Sequence, residues 1–130
     1  MTTIKIGNAR LLKLAAFLRT VPRKRFDYNV FVGDDWNGAQ NLSCGTKACA
    51  MGWAATMPAF RRLGLYLDRN GQPIIDTPEH SLDVFGIARE LFAVSLEDAR
   101  WLFFPSDDEI DATPKQVARK IERFVAKRAA

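Results

Sequence analysis

Ser43-Cys44-Gly45-Thr46-Lys47-Ala48-Cys49-Ala50-Met51-Gly52-Trp53-Ala54-Ala55 is the stretch on which the fold turns. It sets a cysteine and a turn glycine ahead of a run that carries no charge after Lys47. Thr46 is the expected N-cap, with Gly45 easing the turn before it. A helix that is apolar all round is one buried all round, so residues 48–55 are expected at the centre of the molecule. Ala48, Gly52 and Ala55 fall on one helical face and would admit another backbone closely. Trp53 lies on a different face and fills volume. Pro58 breaks or restarts this helix, and the next turn or two ends at Gly64.

Further helices are read outward from that hub. Residues 8–20 form the first, with Asn8 as N-cap, a stripe of Leu11, Leu14, Ala15 and Leu18, and a stop at Pro22. Thr77-Pro78 has the N-cap and N1 pattern of another, carrying Leu82, Phe85, Ala88, Leu91 and Phe92. Ser95-Leu96-Glu97-Asp98 opens the next, with Ala99, Leu102 and Phe103 inward and Pro105 closing it. Thr113-Pro114-Lys115-Gln116 is a capping box for the last, which buries Val117, Ile121, Phe124 and Val125. Between them, Leu65-Tyr66-Leu67 and Gln72-Pro73-Ile74-Ile75 flank Asp68-Arg69-Asn70-Gly71 as a β-hairpin. Pro73 makes its second strand an edge strand at best. The turn-rich residues 33–38 and the acidic residues 107–109 read as a surface loop and a solvated linker. The expectation is one mostly α domain of about five helices around a central small-residue helix, with a short hairpin.

Composition agrees with a single folded domain. The chain has 130 residues, 48% hydrophobic and 11% aromatic, enough for a core. No leader pattern and no run of about 20 apolar residues occurs, so a cytoplasmic protein without a membrane helix is expected. Charge is unevenly spread. Net charge is +7 over residues 1–63, −8 over 64–112 and +5 over 113–130. Such polarity is either neutralised on folding or displayed as a basic face to an anionic partner.

Two sets of residues could carry function. Arg119, Lys120, Arg123 and Lys127 line the outer faces of the last helix, and Arg23, Lys24 and Arg25 follow the first, with Arg61-Arg62 as further cations. Together they could contact phosphates, while Trp36, Tyr28 or Phe26 stack on bases. The bland reading of the same residues is a solvated helix face. The second set is Cys44, a thiol near a helix N-terminus, with His80 as base and Asp76 beside it. Their order and spacing match no thiol-enzyme signature, and the bland reading of Cys44 is a loop residue packed under the hairpin or the first helix. Cys49 reads as a small core hydrophobe. On one continuous helix the two cysteines would stand roughly 8–9 Å apart, too far for a disulfide. Cys44, Cys49 and His80 lack the ligand count and spacing of structural zinc, and residues 107–111 lack the calcium-loop glycine. No metal and no cofactor is expected, and oligomeric state stays open.

Phe26-Asp27-Tyr28, residues 44–54, Ser95-Leu96-Glu97-Asp98-Ala99-Arg100-Trp101-Leu102-Phe103 and Ala112-Thr113-Pro114 resemble a group of small bacterial and phage proteins. That group carries a Cys-Gly-Thr-x-x-Cys-x-x-Gly-(Trp/His)-Ala segment, a later Glu-Ala-x-x-Leu-Phe helix and a final helix near Thr-Pro. Here the penultimate helix reads Glu-Asp-Ala. The resemblance spans most of the chain from Phe26 onward. It implies a helical fold and a phage or mobile-element setting, and brings no activity with it. The leading functional expectation is a non-enzymatic interaction module that binds a host protein or nucleic acid through basic residues. The alternative is a cysteine-dependent hydrolase or transferase using Cys44 and His80.

Overall fold

The computed structural model describes residues 3–34, 36–42, 46–76, 81–82 and 84–129, with the side chains of Asp76, Ser81 and Leu82 outside that description. Six α-helices occur among them: α1 (Ile4–Leu18), α2 (Ala50–Ala54), α3 (Pro58–Arg61), α4 (Val84–Phe92), α5 (Leu96–Phe103) and α6 (Pro114–Ala129). Three short strands, β1 (Tyr66–Leu67), β2 (Pro73–Asp76) and β3 (Ser81–Leu82), form one antiparallel sheet in that order. The fold is therefore mostly α, and its buried side chains form one core cluster.

The central segment is buried throughout, as its composition requires: Ala48 through Ala55 are all buried. Its helix is shorter than the sequence suggests. Thr46 is not the cap; Cys49 is, and α2 starts at Ala50. The reason lies in residues 25–33, which take the backbone groups that a longer helix would use. The Asp27 N–H donates to the Ala48 carbonyl (3.1 Å), and the Ala48 N–H donates to that of Arg25 (3.2 Å). Gly33 and Cys49 N–H groups donate to Lys47 and Val30 carbonyls, both at 2.8 Å. Ala48 thus sits between Phe26 and Val32 in isolated β-bridges.

Helix α1 begins earlier than Asn8. The Thr3 hydroxyl accepts from the Ile6 N–H (3.2 Å), which is a normal N-cap, and Gly7 is helical. Asn8 instead accepts from Arg128 Nε at 2.8 Å. Gly7 is small for a packing reason, since a Cβ there would lie 2.1 Å from the Phe92 carbonyl oxygen. Helix α1 packs most extensively on α6. The Asn8–Arg128 and Arg19–Glu122 pairs run in opposite order along the two helices, so these are antiparallel.

The hairpin forms as expected, with Gly71 at φ +77° closing its turn. Strand β2 is not an edge strand, however, because β3 pairs on its other side. Pro73 is tolerated because it pairs only with Leu67 of β1; β3 meets β2 further on, at Ile75 and Asp76. The free side of β1 is occupied by a side chain. The Gln40 amide accepts from the Leu67 N–H (3.0 Å) and donates to its carbonyl (2.9 Å). The helix expected from Thr77-Pro78 starts later, at Val84, since residues 81–82 are strand; residues 77–80 lie outside the described residues.

The last two helices match their caps. Ser95 accepts from the Asp98 N–H (3.1 Å), and Thr113 and Gln116 exchange bonds at 3.2 and 2.8 Å. Residues 107–109 form a 3-10 turn closed by Ser106 and Glu109, with Asp107 and Asp108 exposed to solvent as expected.

Candidate functional site

The side chains of α5 and α6 converge around Trp101. Spacing explains the arrangement: Ala99, Leu102 and Phe103 turn inward from α5, which leaves Trp101 outward at 52% exposure. Its ring rests against two residues one helical turn apart on α6. Lys120 Nζ lies 4.5 Å from the ring centroid and the Phe124 ring 6.3 Å away. Such an ammonium is held by the negative face of the indole. Two open clefts, of about 580 and 620 Å³, flank this point, and both are lined by Trp101 and Arg123. The first adds Asp108, Asp111 and Arg119; the second adds Asp98, Phe124 and Lys127.

Lys120 is the hub of a polar network beneath the indole. Its side chain is only 10% exposed, and it pairs with Glu109 at 2.8 Å. It also donates to the Tyr28 hydroxyl at 3.2 Å. That hydroxyl in turn donates to the Leu102 carbonyl, one of the unpaired carbonyls at the end of α5. Burial, reinforced by the Glu109 charge, pushes the Tyr28 phenol well above its ordinary value, so it stays protonated. Burial opposes ionisation of Glu109, but its bonds with Lys120 and Ser106 prevail and hold the carboxyl below its usual range. Lys120 thus joins the Glu109 carboxylate to the Tyr28 hydroxyl and, through it, to the end of α5. Tyr28, considered as a stacking residue, is buried and fills this role instead.

The other expected binding residues divide. Arg119, Arg123 and Lys127 are exposed on α6, as are Arg23 and Lys24 in a 3-10 turn after α1. Arg25 is half-buried and structural. Its guanidinium bonds the carbonyls of Leu42 and Thr46 and lies 5.2 Å over the Trp53 ring. Trp36 is half-buried too: its indole N–H donates to the Ala39 carbonyl (3.0 Å), and its ring packs beside Gly71. Arg128 is withdrawn from the outer face of α6, bonding the Phe92 and Ala93 carbonyls (2.8 and 2.6 Å) at the end of α4.

Of the Cys44, His80 and Asp76 set, Cys44 and His80 lie outside the described residues, and Asp76 is described only as the last backbone position of β2, opposite Ser81. Cys49 is buried, and burial pushes its thiol up to about 11, as befits a core residue. Among the described residues no cluster of metal-ligating side chains occurs, and no helix is long and apolar enough to cross a membrane.

The residue that sequence reasoning passed over is Trp101. A signal existed: it is the one tryptophan on a helix whose inward stripe excludes it. Its proximity to Lys120 is a tertiary matter. These features define a small, mostly helical protein with an exposed indole between cationic side chains. Comparison of the chain with protein-family models, with curated proteins and with solved structures returns no match.

Proposed function

We propose that this protein is a non-enzymatic interaction module that binds an anionic partner, a host protein or nucleic acid, through the basic face of α6 beside Trp101 of α5. The resemblance of its cysteine segment to phage proteins suits a phage or mobile-element setting and a cytoplasmic site of action. The observation that carries the reading is the exposed Trp101 bordered by Arg123 and Lys127, two cations that no ion pair among the described residues engages. Exposed cations contribute little to stability, whereas an open aromatic ring among them is a recognition surface. Binding to immobilised heparin tests it. Arg119→Glu with Arg123→Glu should abolish retention, and wild-type retention should fall steeply with salt. Retention that ignores both salt and the charge reversal sinks the proposal.

A further inference from the structure

We infer that the occupant of this face is single-stranded nucleic acid, with one base stacked on Trp101 and neighbouring phosphates on Arg123 and Lys127. The inference rests on the anion-binding reading above and deepens it.

Three observations carry it. First, both described ring contacts of Trp101, from Lys120 and Phe124, come from α6, and half of the residue remains open to solvent. A flat apolar partner can cover that open surface, and an unpaired base is one. Second, Arg119, Arg123 and Lys127 stand at i, i+4 and i+8 on α6, so they form a row with roughly 6 Å between neighbours along the axis. An extended strand carries one charge per nucleotide and can follow such a row. Third, the polarity of the two clefts sets the path. The cleft beside Arg119 is balanced in charge, with Asp108, Glu109 and Asp111 against Arg119, Lys120 and Arg123. The cleft beyond Trp101 presents Phe124, Arg123 and Lys127, with Asp98 as its acidic residue. The strand therefore crosses Trp101 towards Lys127.

Other partners fit less well. A duplex keeps its bases stacked inside and leaves the indole uncovered. An acidic peptide without aromatic residues satisfies the cations but brings no flat ring. An apolar peptide covers the indole but must strip water from Arg123 and Lys127 without repayment.

The test compares a labelled oligothymidylate, a DNA hairpin duplex and a polyglutamate peptide, by anisotropy and tryptophan fluorescence. Oligothymidylate should bind most tightly, with salt-dependent affinity and quenched indole emission. Trp101→Ala should weaken it about tenfold or more and remove the quenching, while circular dichroism stays unchanged. Arg123→Glu with Lys127→Glu should abolish it. Unchanged oligothymidylate binding in Trp101→Ala, or duplex or polyglutamate binding as tightly, overturns the single-strand assignment and leaves the anion-binding face standing. If the double reversal affects none of the three ligands, or none of them binds, the face itself is refuted.

Discussion

The α-carbon of Gly52 faces the carbonyl of Phe31 so closely that a Cβ there would stand 1.9 Å from the oxygen. The small-residue face of the central segment thus receives a loop backbone rather than another helix. Ala48 and Gly52 are the sites where residues 25–33 cross it.

Gly52→Ala should therefore destabilise the protein, although alanine is the better helix former. Alanine recovers about 0.5–1 kcal/mol of backbone entropy, but the obstacle is backbone and cannot swing away. A net loss of about 2 kcal/mol in urea unfolding is expected. Gly38→Ala is the control. It has φ +92° and open space around it, so only the left-handed cost of about 1–2 kcal/mol applies. Equal stability of Gly52→Ala and wild type would show that residues 31 and 52 are not in contact.

Glu109 provides a pH test of the network under Trp101. Its folded carboxyl lies below the ordinary value, so the pair stabilises the protein above the unfolded glutamate range. That contribution is lost as pH falls through the folded value. Lys120→Met should raise the Glu109 titration midpoint, measured by carboxyl NMR. It should also lower stability near neutrality but not in strong acid, where Glu109 is protonated and the pair contributes nothing. A Glu109 midpoint unmoved by Lys120→Met would deny the pairing.

Arg128 should behave as a structural residue. Its guanidinium spans the Phe92 and Ala93 carbonyls and Asn8, closing the end of α4, where Ala93 takes φ +53°. Arg128→Ala should cost about 2–4 kcal/mol, from charge-assisted bonds worth about 1.5–3 kcal/mol each at most. Lysine should restore little, because one ammonium cannot reproduce the planar fork. Lys127→Ala, one residue away and exposed, should change stability by less than about 0.5 kcal/mol. Thermal melts of the three variants decide the point.

Cys49 should be chemically silent in the folded protein. In a Cys44→Ala background, iodoacetamide at neutral pH should label Cys49 only after denaturation, since the thiol is buried and raised to about 11. Native labelling at the unfolded rate would place Cys49 outside the core.

Much of the architecture was legible from local signals. The caps at Ser95 and Thr113, the Pro58 restart and the Asn70-Gly71 hairpin are each written within a few residues, because caps and turns are satisfied by near neighbours. Helix starts failed where long-range bonds intervene. Asn8 resembles a cap but serves Arg128, and Thr46 resembles one but precedes an extended segment paired with residues 25–33. The candidate site was half legible. The exposed row of Arg119, Arg123 and Lys127 follows from helical spacing, and Trp101 falls outside the inward stripe of its helix. Trp36, the more conspicuous aromatic, proves to be a packing residue.

By itself, the sequence determined that a charge-free small-residue segment must be buried and that amphipathic helices would enclose it, since burying apolar surface leaves no other arrangement. Only the tertiary structure decided which charges remain available. Lys120, Arg25 and Arg128 look like Arg123 and Lys127 in the sequence, yet they are drawn onto a carboxylate, carbonyls and rings by neighbours distant in the chain. A cation's partner is set by proximity in space, and proximity arises only once the helices have packed.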